Sequence, residues 1–287
     1  MVTKHANSGY FCRSCGSNRL HEVLDYQKLK RVTSDCRPIS GVGRLFECCL
    51  CQLIQKVMDA DLELELTTIY ETYQTYQNGI EPLTFSSGIG EVRTEKIYKE
   101  ISCHIGQSTH GLMVDVGCGD GSFLRVFKQQ RPSWDLYGFD LNKKRISEIE
   151  AICGASKFVS QTLEALPSEI DLITLNYVLE HIDDVSAVLK QLANKLSAKG
   201  VVTFLVPNLA NNPYDLVVAD HLSHYTHGAV IKQLRAGLFL KSYEIFEKEL
   251  LIVGTRKYDE EVLSTPESAG SFLAQQMVDL LIQSREE

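Results

Sequence analysis

Three groups of residues in this 287-residue chain have the types and spacing to do chemistry. Cys12-x-x-Cys15 and Cys48-x-x-Cys51 are two pairs about thirty residues apart. Each pair presents two thiolates around a turn, and together they have the spacing of a four-thiolate zinc site. With sulfur at all four positions such a zinc is structural, because no position is left open for catalysis. Cys49 and Cys36 read as spectators. The second group, Asp220-His-Leu-Ser-His-Tyr-Thr-His227, is the densest titratable cluster in the chain. A histidine that titrates near neutrality suits removal of a proton from an acceptor. His221 beside Asp220, with His224 next to it, is the candidate base and its neighbours. His181 is a further candidate, and its other reading is a side chain that closes a ligand pocket. The third group is Asp115-Val-Gly-Cys-Gly-Asp-Gly121, with glycines at 117, 119 and 121.

The elements that must position these groups follow from the patterning. Leu112 to Val116 is a short apolar strand, and a strand that turns sharply into a helix beneath a ligand needs residues that tolerate positive φ and carry no Cβ. The dinucleotide fingerprint G-x-G-x-x-G is the competing reading, but here the third glycine comes one residue early. Asp115, ahead of the first glycine, also suits a ligand carrying an ammonium and a sulfonium better than one carrying phosphates. Trp134 to Asp140 reads as a second strand that ends in a carboxylate placed to accept both hydroxyls of a ribose. Asp171 to Asn176 reads as a buried strand followed by Tyr177-Val-Leu-Glu-His-Ile182. Ala198-Lys-Gly200 reads as a turn, and Val201 to Pro207 as another apolar strand.

From about Leu112 to Lys257 this order resembles the class I methyltransferases that use S-adenosylmethionine (SAM), with "VLEH" after strand four and "KG" and "VPN" bracketing strand five. The resemblance implies an α/β fold with a Rossmann-like, seven-stranded core. It also implies a SAM site at Asp115, Gly117, Cys118, Gly119, Gly121, Asp140, Leu141, Thr162, Leu163 and Asn176. In front of the core, residues 60–105 read as mostly helical with a break near 79–90. Tyr70, Tyr73 and Tyr76 recur on one helical face, and Tyr73 and Tyr76 are candidates to lid the SAM pocket. The expected organisation is a zinc-ribbon module at 1–58, a helical linker or lid at 59–110, the SAM-binding core at 111–257, and a linker with a C-terminal helix at 258–287. That helix, from about Phe272 to Ser284, is expected to serve packing or dimer formation.

An N-terminal CxxC…CxxC module, a tyrosine-bearing link and this core in one chain also resemble the nucleotide-sugar C-methyltransferases. That family carries an acidic-His-x-x-Tyr-aromatic-Ser/Thr motif after strand five, with the histidine as proposed base. Asp220, His221, Tyr225 and Thr226 match it, while His224 stands where the family has tyrosine and Val218 where it has a further catalytic tyrosine. Where the family continues into a large C-terminal domain, residues 258–287 are expected to form only a linker and one helix. The resemblance therefore implies methyl transfer to carbon or oxygen of a sugar-related small molecule. A zinc-ribbon RNA methyltransferase and a non-catalytic SAM-binding protein are the alternatives.

Composition fits this reading. Residues 1–58 carry nine Lys/Arg against four Asp/Glu, and the remainder twenty against thirty-three, for a net charge of −8. An acidic catalytic body is a poor tracker of long nucleic acid, so nucleic acid is not the expected partner. No apolar run approaches the ~18 residues that span a bilayer, and the N-terminus lacks a signal-like apolar region. A cytoplasmic protein is expected, with its nine cysteines as thiols or metal ligands.

Overall fold

The computed structural model describes residues 10–40, 43–73, 82–83, 91–234, 238–245, 248–256 and 273–284. The N-terminal segment has few large apolar side chains and builds very short strands: β1 (Leu20–Glu22), β2 (Arg31–Val32), β3 (Pro38–Ile39), β4 (Leu45–Cys48) and β5 (Ile54–Lys56). β1, β4 and β5 run antiparallel, with Leu20 opposite Cys48 and Glu47 opposite Ile54, and β2 and β3 form a separate ribbon. Helix α1 (Ala60–Glu71) starts at Asp59, whose side chain accepts a hydrogen bond from the Leu62 amide. Within the predicted break, β6 (Pro82–Leu83) pairs with β7 (Glu91–Val92); the rest of that break, and Tyr76, lie outside the described residues. Helix α2 (Arg93–Ser102) then leads into the core.

The core runs β8 (Leu112–Val116), α3 (Ser122–Gln130), β9 (Asp135–Phe139), α4 (Ile146–Cys153), β10 (Phe158–Val159), β11 (Ile170–Asn176), α5 (Val185–Lys195) and β12 (Leu196–Pro207). It continues with β13 (Ser223–His224), α6 (His227–Leu234), β14 (Phe239–Ile245), β15 (Glu249–Thr255) and α7 (Leu273–Gln283). Seven strands form one sheet in the order β10-β9-β8-β11-β12-β15-β14. The first five are parallel, and β15 lies antiparallel between β12 and β14. Val114, Ile173, Leu175, Val202 and Phe204 are buried, as the near-continuous apolar runs of a sheet covered on both faces require. Strand order reverses beside β8, and in open α/β sheets ligands bind beyond the strand ends at such a point.

One local expectation is corrected. The predicted turn at Ala198-Lys-Gly200 lies within a single strand, β12, as a bulge: Ile170 pairs with Leu196, and the next pair is Leu172 with Val201. At Gly200 a Cβ would stand 2.4 Å from the Ile170 carbonyl oxygen, so the glycine permits close approach of two strands rather than a turn out of the sheet.

Two C-terminal elements return to the N-terminal module. β13 extends its sheet to the order β1-β4-β5-β13, with Ser223 opposite Gln55 and His224 opposite Ile54. α7 buries Ala274, Met277, Val278 and Leu281 against Val23, Tyr26, Leu29 and Leu45. Its Gln275 side chain accepts from the Leu24 amide at 2.7 Å. The apolar face considered for packing or dimer formation is thus occupied within the chain; the linker predicted ahead of this helix lies outside the described residues. Among the described residues no helix is long and apolar enough to cross a membrane.

Candidate active site

The predicted cofactor side is built from the ends of neighbouring strands. The loop after β8 is stitched to β9, since the Gly117 and Cys118 amides both donate to the Phe139 carbonyl, at 2.7 and 3.0 Å. Gly117 has φ +74°, and a Cβ there would stand 2.3 Å from Val178 Cγ2; both facts demand glycine. Asp140 accepts from the Gly119 amide at 2.9 Å through Oδ2 and from the Asn142 amide at 2.8 Å through Oδ1. Its carboxylate is therefore fixed at the lip of the glycine loop. Asp115 is buried, and its Oδ1 accepts from Thr174 Oγ1 at 2.6 Å and Asn176 Nδ2 at 3.4 Å. Burial pushes the Asp115 carboxyl up to about 7 against the Thr174 hydrogen bond. Cys118 is buried beneath the loop, and Gly121 begins α3. Leu141 is exposed beside Asp140. Beyond β10, Thr162 is exposed and Leu163 buried at the turn Leu163–Ala165.

The acceptor side assembles from distant segments. His221 Nδ1 donates to Asp215 Oδ1 and His224 Nδ1 to Asp215 Oδ2, both at 2.7 Å. Asp215, in the turn Pro213–Val217, is 3% exposed. Two histidines hold its carboxyl well below the usual range despite burial. Burial alone would push His221 down, but the charge and hydrogen bond of Asp215 outweigh it and raise the ring above the ordinary histidine value. His224 is fully buried and pushed down to about 4 by that burial. His181 meets His221 edge-on with ring centroids 4.7 Å apart, and its Nδ1 donates to the Asp220 carbonyl at 3.0 Å. The Tyr70 hydroxyl lies 3.4 Å from the same nitrogen.

The carboxylate that holds His221 is therefore Asp215, not its sequence neighbour. Asp220 is engaged elsewhere: it accepts from the Ser34 amide at 2.7 Å and the Ser34 hydroxyl at 2.5 Å, and Ser34 Oγ bonds Tyr73 Oη at 3.1 Å. Tyr225 is 1% exposed. Lys56, from β5, reaches the carbonyls of Val218 and Ala219 at 2.6 and 2.7 Å, and burial pushes its ammonium down to about 7. Sequence reasoning missed Asp215, Ser34 and Lys56. Asp215 precedes His221 by six residues with no helical or strand period between them, and Ser34 and Lys56 are far away in the chain, so spacing carries no signal for any of the three.

The four predicted metal ligands do converge. Cys12 and Cys51 sulfurs are 3.4 Å apart and Cys15 and Cys48 sulfurs 3.6 Å, and all four lie within 4.8 Å of one another. A tetrahedron with Zn–S bonds of about 2.3 Å has edges of roughly 3.8 Å, so the donor set fits zinc. The Leu50 and Cys51 amides donate to Cys48 Sγ, which favours a thiolate there. Cys49 lies outside the cluster, and its amide bonds Arg19.

Residues 98–236 match the family described as a methyltransferase domain. No curated protein matches the chain. Among solved structures, the fold is similar to Burkholderia thailandensis 1,6-didemethyltoxoflavin-N1-methyltransferase with bound 1,6-didemethyltoxoflavin and S-adenosylhomocysteine. That likeness has 14% identity and a TM-score of 0.50 and covers 72% of this chain and 96% of the other. It is similar also to the PH0226 protein from Pyrococcus horikoshii OT3, at 15% identity and a TM-score of 0.50, over 66% of this chain and 99% of the other.

Proposed function

We propose that this chain, a methyltransferase, moves the methyl group of SAM to a carbon or oxygen of a small-molecule acceptor related to a sugar or nucleotide sugar, with His221 as general base. The observation that carries this reading is His221 held at Nδ1 by Asp215 and edge-on to His181, which follows the end of β11. SAM, when bound, supplies an electrophilic methyl group on a sulfonium. Asp140, at the lip of the glycine loop, would accept from the ribose hydroxyls. Because His221 Nδ1 already donates to Asp215, Nε2 is the nitrogen that accepts a proton. The acceptor gives this proton to Nε2 as its carbon or oxygen bonds to the methyl group, and the sulfur keeps the electron pair of the bond that breaks. His181 and the hydroxyls of Tyr70, Tyr73 and Ser34 supply polar groups suited to a hydroxyl-rich acceptor, which supports the sugar reading.

Cys12, Cys15, Cys48 and Cys51 would hold one structural Zn2+. In small modules zinc contributes about 10 kcal/mol of apparent folding free energy. Here that energy also anchors β13, and with it the histidines.

The test is transfer of label from methyl-tritiated SAM into a host extract separated into small-molecule, RNA and protein fractions. Label is expected among small molecules and absent when His221→Ala replaces the wild type. Label confined to RNA would overturn the acceptor assignment.

A further inference from the structure

Glu180 follows β11 in the turn Leu179–His181 and is 1% exposed. Neither of its carboxylate oxygens has a hydrogen-bond partner, although its main-chain carbonyl accepts from the Leu222 amide at 2.7 Å. A charged group buried in this way is strongly disfavoured unless something nearby shares its charge or its proton. A carboxylate oxygen of Glu180 and a ring nitrogen of each of His181 and His221 all lie within 4.8 Å of one another. Asp215 already occupies His221 Nδ1. Glu180 and Asp215 thus face the same imidazole, one bonded to it and one not.

We propose that Glu180 is a positioning residue of the acceptor site, its carboxyl charge acting on His221 through space and so setting when that ring is free to take the acceptor's proton. The inference rests on the reading of His221 as the base. Other titratable groups around the pair are His181 after β11, Tyr70 on α1, Asp220 in the loop, His224 on β13, Tyr225 just after it, and Arg93 at the start of α2. Burial raises Glu180 to about 7, with the His221 charge opposing it. Asp215, and after it Glu180 and Asp220, raise His221 against its own burial. The charge of each group therefore acts on the protonation of the other. An ionised Glu180 favours the imidazolium and blocks the base; a protonated Glu180 releases it.

Glu180→Gln removes the charge while keeping the shape. The His221 midpoint is then expected to fall by about one pH unit, the order given by two partly ionised charges at this separation. The midpoint is read by NMR of 13C-labelled histidine rings, with His221→Asn identifying the signal. SAM affinity by calorimetry stays unchanged, and the acid limb of kcat/KM moves to lower pH by the same amount. Should Glu180→Gln not fold, Glu180→Asp keeps the charge but draws it back by one methylene, and a smaller shift in the same direction is expected. A His221 midpoint that either folded variant leaves in place overturns the proposal. The titration uses no acceptor, so loss of the methyl-transfer reading leaves a shifted midpoint standing. An unmoved midpoint in an enzyme that turns over overturns the Glu180 role alone.

Discussion

The two halves of the site are built in opposite ways. The proposed cofactor half is local: Asp115, Gly117, Gly119, Asp140 and Asn176 come from the ends of strands that neighbour one another in one sheet, and backbone amides fix the Asp140 carboxylate. The acceptor half is tertiary. Asp215 and His221 come from a loop after β12, Ser34 from the β2–β3 ribbon, Lys56 from β5 and Tyr70 from α1, and the loop is held by hydrogen bonds that cross the boundary between module and core. The glycine-loop half thus stands apart from the N-terminal module, while the other half is built partly from it.

If that division is real, metal loss should separate the halves most sharply. Elemental analysis is expected to give about one zinc per chain, and Cys51→Ser or prolonged chelation should abolish methyl transfer, because β13 loses its partner. Calorimetric SAM binding should persist; parallel loss of both would show the halves to be one unit. His221→Ala should lower turnover by roughly 10²–10⁴-fold with SAM affinity within about twofold, since no cofactor-side group bonds it. Asp140→Ala should do the reverse. SAM binding is expected to weaken by more than about tenfold, or ~1.4 kcal/mol, without a change in thermal midpoint, and unchanged affinity would remove the ribose assignment. The smallest effect concerns pH. A base must be unprotonated, and Asp215 raises His221, so kcat/KM should climb through a midpoint above the ordinary histidine value of about 6.5. Asp215→Asn should bring that midpoint down, and a profile that does not move would detach Asp215 from the chemistry.

The same contrast explains what could be read from the chain alone. Glycine at 117 is required by a positive φ and by Val178, and such a backbone demand is written at the position itself. The strands and the cysteine pairs were legible for the same reason, because period and spacing are local. The turn expected at Ala198–Gly200 was not, because a glycine admitting close strand approach and a glycine opening a turn look alike until the partner strand is known. Asp215 in place of Asp220 as the partner of His221 was hidden because adjacency in sequence says little about adjacency around a 3-10 turn. Lys56 could not be anticipated: a lone lysine reads as a side chain that reaches solvent, and only the crossing of β5 by the loop at 218–219 buries it.

The pairing of β5 with β13 also bears on synthesis. About 170 residues separate Ile54 from its partner His224, so the edge of β5 remains unpaired for about 10–30 s at ordinary elongation rates. An open strand edge invites pairing with another chain. The cysteine cluster is complete by residue 51 and can close on a metal long before that. Early metal capture would hold the small sheet in register while its last strand is still being made, and would bring the two ends of a long loop together only after the core between them has formed.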